Sequence, residues 1–212
     1  MLENKLGITN SAELAREEER ISKTKAFVMF ESGFLDTLEA GTVSTLCEIH
    51  RFLFCDIYDF AGKLRTVNIS KGKFRFASVM YLEDALAAVE KMPQSSFDEI
   101  IEKYVEMNIA HPFREGNGRS MRIWLDLMLK ASLGKVTDWN SVDKESYLAA
   151  MEHSPVSDRD IKAVIASALT DRISDRDTFM KGIDNSYYYE GYTAYSTARL
   201  SELHNKINRE SP

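Results

Sequence analysis

Cysteine is scarce in this 212-residue chain, with two residues, Cys47 and Cys55. That number excludes a disulfide framework, and neither cysteine nor the four histidines show the short-range spacing of a zinc site. Both cysteines read as small core residues of a reducing compartment. No apolar run is long enough to cross a membrane, and the first residues, Met1-Leu2-Glu3-Asn4-Lys5, lack the basic and apolar regions of a signal peptide. The expectation is a protein that stays in the cytoplasm and binds no membrane. Excess positive charge is also missing: 27 basic residues against 33 acidic ones leave a formal charge of −6, which argues against a general nucleic-acid binder. Prolines number four, while 44% of the residues are apolar, enough to bury a core within one domain. Repeats and low-complexity tracts are absent.

What the chain does have is helical periodicity. Apolar residues at helical intervals predict helices over 12–30, 42–54, 82–92 and 100–110, the last opened by a capping-box pattern at Ser96 and Glu99. Further helices are expected from the loop at 115–118 to about 133, over 142–152, from Ser157 through 169, and as two short pieces at 176–181 and 185–189. Residues 68–77 carry β-prone runs on either side of Lys71-Gly72, which predicts a small hairpin. The fold class is therefore mainly α, a helical bundle with one β-hairpin. Residues 1–191 read as one domain, and Leu200, Leu203 and Ile207 predict a helix in the tail, 192–212.

Chemistry concentrates in His111-Pro112-Phe113-Arg114-Glu115-Gly116-Asn117-Gly118-Arg119-Ser120-Met121-Arg122. Pro112 disfavours the α conformation at His111, so the histidine should stand at a helix end. The loop that follows feeds a second helix, whose first backbone N–H groups and positive dipole suit an anion. Gly116 and Gly118 would supply φ > 0 and close approach to phosphate oxygens, and Asn117 a side-chain donor. Arg119 and Arg122, three apart, can make charge-assisted bonds to phosphates. Glu115 offers the hard oxygen that a phosphate-bound Mg²⁺ or another divalent cation accepts. His111, with an ordinary pKa near 6.5, can take a proton from a hydroxyl near neutrality.

At these residues the chain resembles the Fic family, whose motif His-x-Phe-x-(Asp/Glu)-Gly-Asn-Gly-Arg-x-x-Arg is met at every specified position. The match extends upstream to Ile49-His50-Arg51-Phe52-Leu53-Phe54 and Tyr58-Asp59-Phe60-Ala61-Gly62-Lys63-Leu64-Arg65. The resemblance implies a Fic-type bundle and transfer of AMP from ATP to a Tyr, Ser or Thr hydroxyl of a target protein. The hairpin would be the family's flap, with Lys71 and Gly72 at its tip over the nucleotide, pairing with the target's main chain. Ser186-Tyr187-Tyr188-Tyr189-Glu190-Gly191 is similar to the family's inhibitory motif, in which Glu190 would pair with Arg122 and block the γ-phosphate. The same carboxylate could instead orient water for removal of AMP, and a nucleotide-binding module without turnover is a third reading. The three tyrosines read as packing residues. Arg65 and Arg75 could face phosphates or acids and are left out of the site; a homo-oligomer is left open.

Overall fold

The chain folds as a helical bundle in the computed structural model, which describes residues 2–72 and 74–202. Helix α1 (Ser11–Glu31) starts where the Asn10 side chain accepts from the N–H groups of Ala12 and Glu13. Helix α2 (Val43–Phe54) is capped by Thr42, α3 (Leu82–Glu90) follows, and α4 (Phe97–Ala110) opens with the capping box of Ser96 and Glu99. Helix α5 (Asn117–Leu133) lies at the centre, packed against α2 and α4, and ends at Gly134 in the left-handed conformation. Met121, Trp124, Leu125, Met128 and Leu129 of α5 are fully buried, which is how a helix apolar on most of its circumference is accommodated. The Trp124 indole donates to the carbonyl of Thr42, fixing the entry of α2 against it at 2.9 Å.

Helices α6 (Lys144–His153) and α7 (Arg159–Ser167) complete one side, and α8 (Arg176–Tyr189) packs against α1 and α5. Two antiparallel pairs make up the strands among the described residues. One is β1 (Ser70–Lys71) with β2 (Phe74–Arg75), in the register Ser70 to Arg75 and Lys71 to Phe74, which is the expected hairpin. The other, β3 (Val136–Thr137) with β4 (Leu169–Thr170), was not expected and takes Leu169 out of the helix assigned from Ser157 onward.

The two pieces expected at 176–181 and 185–189 are one helix. Gly182 lies inside α8, and a Cβ there would come within 3.2 Å of the Trp139 ring. The glycine serves close packing and the helix runs through it. The tail is helical over 197–202, with Leu200 buried, while the rest of the helix expected there lies outside the described residues. No helix among the described residues is long and apolar enough to cross a membrane.

Candidate active site

The site is assembled where α4 ends and α5 begins. His111 caps α4 with φ 49° and ψ 66°, and is the one non-glycine residue among those described with positive φ. Such a conformation costs about 1–3 kcal/mol and persists only where surrounding contacts determine it. Arg65 supplies them. Its buried guanidinium donates to the carbonyls of His111 (2.8 Å), Val67 (2.9 Å), Ala110 (3.1 Å) and Ala77, and its own N–H donates to Pro112 at 2.8 Å. Arg65 faces neither a phosphate cradle nor an acid, the two roles weighed from sequence. It ties the turn at His111 to the base of the hairpin.

The His111 ring stacks on Phe76, with centroids 3.6 Å apart. Nδ1 lies 3.2 Å from the Asn108 carbonyl, which can only accept, so the proton sits on Nδ1 and the Nε2 lone pair is free. Burial pushes the pKa of His111 down to about 4, so the imidazole is neutral at physiological pH.

The loop between the helices is held from inside. Asn117 accepts from the Phe113 N–H at 2.8 Å and donates to its carbonyl at 2.7 Å, so the amide expected to meet phosphate closes the turn instead. His50 donates from Nε2 to the Glu115 carbonyl and accepts from the Gly62 N–H at Nδ1, both at 2.8 Å, and stacks on Phe113. Burial lowers its pKa to about 4 as well. Gly116 has φ 78°, as the turn requires; Gly118 is helical and does not. Its lack of a side chain has another reason: a Cβ would stand 2.6 Å from a Glu190 carboxylate oxygen.

Charge is layered behind this loop. The Glu115 carboxylate, 38% exposed, accepts from the Gly116 N–H and from Arg119, each at 3.0 Å. Arg119 is buried, pairs with Glu18 of α1, and holds its Nε 3.2 Å from Glu190. Arg122 donates from Nε to the Ser186 hydroxyl (2.7 Å), and from Nη2 to the Ser186 carbonyl (2.8 Å) and Glu190 (3.0 Å). Burial pushes the Glu190 carboxyl up, but the two guanidinium groups win and hold it below the usual carboxylate range. Glu190 thus bridges both motif arginines where the sequence suggested Arg122 alone. Tyr187 and Tyr189 are buried, as packing residues should be, and Tyr188 is half-exposed beside Lys144.

These groups line one cavity of about 690 Å³. Its walls include Lys71 and Gly72 at the hairpin tip, His111, Glu115 to Gly118, Arg122 and Glu190, whereas Arg119 and Ser186 stand behind the wall. A neutral histidine with a free lone pair, a carboxylate and a helix N-terminus therefore face the same space. That combination can deprotonate a hydroxyl beside a bound polyphosphate. Sequence reasoning left Arg65 out of the site although it closes the family-like segment ending there, and it missed Glu18 and Phe76, whose partners Arg119 and His111 lie far off in the chain.

Residues 40–129 match the Fic/DOC family, a span that contains the hairpin and the whole His111–Arg122 motif but not Ser186 or Glu190. A probable protein adenylyltransferase Fic of Salmonella typhimurium is 27% identical, over 81% of this chain and 88% of that one. The protein adenylyltransferase VbhT of Bartonella schoenbuchensis is 29% identical over 79% of this chain, which spans only 37% of VbhT. Among solved structures, the BepC protein of Bartonella tribocorum with bound AMPPNP superimposes with a TM-score of 0.65 at 18% identity, over 80% of this chain and 92% of that one. The FIC domain of Bep8 from Bartonella sp. 1-1C gives a TM-score of 0.69 at 19% identity, over 84% and 92%. These structural likenesses establish the fold.

Proposed function

Residues 40–129 form a Fic/DOC-family domain, and from that premise we propose that the chain is a protein adenylyltransferase moving AMP from ATP to a hydroxyl side chain of a target protein, with Glu190 as its brake. The observation that carries the reading is His111: its Nε2 lone pair is free, and its ring faces a cavity floored by the N-terminus of α5. The adenylyltransferase names of the relatives support the same chemistry.

In this reading the target hydroxyl gives its proton to His111 Nε2 as its oxygen forms a bond to the α-phosphorus of ATP. The bond from that phosphorus to the β-phosphate bridging oxygen breaks, and pyrophosphate leaves with the negative charge. The opening turn of α5 offers backbone N–H groups to that charge, and Arg122 adds a cation once Glu190 withdraws. Glu115 suits a divalent cation, since its carboxylate is partly exposed toward the cavity and Mg²⁺ takes only one or two protein carboxylates beside phosphate oxygens. Such an ion would neutralise phosphate charge there. Lys71 and Gly72 place the hairpin edge over the cavity, where a target segment could add its main chain to an exposed strand.

Glu190 opposes turnover because its carboxylate occupies the guanidinium face that a γ-phosphate would use. Substituting Glu190→Gly is expected to raise AMP transfer, measured with labelled ATP, by about 5–150-fold, the range that coupling of about 1–3 kcal/mol gives. Arg122→Ala should lose transfer, because the phosphate contact goes with it. Since Glu190 shares the cavity with His111, it also supports a second activity, orienting water against an AMP-modified hydroxyl. If Glu190→Gly leaves transfer flat and abolishes AMP removal from a pre-modified target, the glutamate is hydrolytic and the brake is refuted. No transfer by either form would leave a nucleotide-binding module.

A further inference from the structure

Glu190 is the C-cap of α8, directly after Tyr189, where carbonyls lack intrahelical partners and helices fray. Gly191 follows with φ 91°, so the helix itself gives the carboxylate little restraint on its C-terminal side. The next six residues supply it. Tyr192 turns back, its N–H donating to Tyr187 (3.0 Å) and its hydroxyl to Glu18 of α1 (2.9 Å). Ala194 and Tyr195 donate their N–H groups to the two oxygens of Glu19, at 2.9 and 3.2 Å. The Tyr195 carbonyl accepts from Lys23 at 2.6 Å. Lys23 also pairs with Glu19 and with Asp184 of α8, each at 3.0 Å, and Asp184 in turn accepts from the N–H (3.0 Å) and hydroxyl (2.9 Å) of Thr197.

Glu19, Lys23 and Thr197 are each at most 2% exposed. Burying an ammonium and a carboxylate costs several kcal/mol per ion and is tolerated only where further hydrogen bonds complete both groups. Here the bonds that complete them come from the backbone of 194–195, so the polar face of α1 matches this one segment in this one position. A different placement would leave buried charges short of partners.

We propose that residues 192–197 are a strap that positions Glu190, with Glu19 and Lys23 of α1 as its anchors, so that the tightness of the brake is set by the strap and not by α8 alone. This rests on the reading of Glu190 as a brake. Arg119 shows what strapping accomplishes. It keeps Glu18 as a partner whether or not Glu190 is present, so its pairing can survive release; among the contacts of Arg122, those to Ser186 and Glu190 both come from α8 and its C-cap. Loosening the strap therefore frees Arg122 selectively, the guanidinium that lines the cavity.

The test removes residues 192–212 and, in a separate full-length chain, introduces Thr197→Val. Three measurements follow: AMP transfer, amide hydrogen exchange over residues 184–191, and thermal unfolding to confirm that each variant is folded. The truncated chain should exchange faster over 184–191 and transfer AMP at least about 5-fold faster than the parent, the lower end of ordinary coupling. Thr197→Val should move both in the same direction by less. Because the strap acts through Glu190, truncation in a Glu190→Gly background should add nothing further to transfer. A folded truncated chain with unchanged exchange and the parent rate overturns the proposal, as does a rate increase that persists without Glu190. Should truncation prevent folding, unchanged exchange in Thr197→Val overturns it. If Glu190→Gly itself fails to raise transfer, the brake is refuted, and exchange over 184–191 still decides whether the strap seats α8.

Discussion

Acidifying the protein from pH 7 to pH 5 tests the two buried imidazoles directly. His50 and His111 are each pushed by burial from the ordinary 6.5 down to about 4. An unfolded chain takes up these protons near pH 6.5, whereas the folded chain refuses them until about pH 4. The stabilisation is thus present above about pH 6.5 and is lost as the pH falls toward 4. At about 1.36 kcal/mol per pKa unit, each histidine should cost about 2 kcal/mol of folding free energy between pH 7 and pH 5. Asp126 works in the opposite sense. Burial raises its carboxyl from 3.8 to about 7, against the hydrogen bonds from Thr137 and Trp139 that lower it, so the folded chain gains a proton there that the unfolded chain does not. That gain is also about 2 kcal/mol over the same interval and hides one of the two losses. The informative quantity is therefore a difference, wild type against His50→Gln, from urea unfolding at both pH values. Glutamine can keep the bond to the Glu115 carbonyl without titrating. At pH 5 the variant should have gained about 2 kcal/mol on the wild type relative to pH 7. A difference that stays constant within about 0.5 kcal/mol would show that His50 does not titrate with folding, and the argument for a neutral buried imidazole would fall.

Other outcomes follow from the site. His111→Ala should abolish AMP transfer while ATP binding, followed by calorimetry, persists, because the α5 N-terminus and Arg122 are untouched; transfer at near the wild-type rate would remove His111 as base. Glu115→Ala should lower metal-dependent turnover and be partly rescued by raised Mg²⁺ or Mn²⁺, and an unchanged metal titration would count against a ligand role. Arg65→Lys should destabilise the fold by about 2–4 kcal/mol in denaturant unfolding, since one ammonium cannot serve the carbonyls that the guanidinium spans. It should also slow transfer by releasing the turn at His111, and a loss below about 0.5 kcal/mol would show that the turn does not depend on it.

The chain by itself determined whatever depends on neighbours in sequence. Helical periodicity, the box at Ser96 and Glu99, the hairpin around Lys71-Gly72 and the effect of Pro112 on His111 are all consequences of local sterics and hydrogen bonding, and they stand where they were expected except that Leu169 pairs in β4 and 176–189 is one helix. Of the motif residues, His111, Glu115 to Gly118 and Arg122 line one cavity, whereas Arg119 stands behind its wall and the Asn117 amide closes the turn, which spacing alone did not distinguish. What only the tertiary structure decided are the partners of charges far apart in the chain. Glu18, Glu19 and Lys23 read as part of a charged, amphipathic helix, yet they are buried, because Arg119 and the backbone of 194–195 arrive from more than 90 residues away to complete them. Arg65 was ambiguous between phosphate and acid and took neither, since four backbone carbonyls converge on it from two turns and a hairpin base. Gly118 was expected to supply a positive φ but is helical, as is Gly182; what they make room for, a carboxylate in one case and an indole in the other, belongs to another element. Periodicity reports which face of a helix is apolar, but electrostatic pairing in a low-dielectric interior depends on where distant segments come to rest, and no local pattern encodes that.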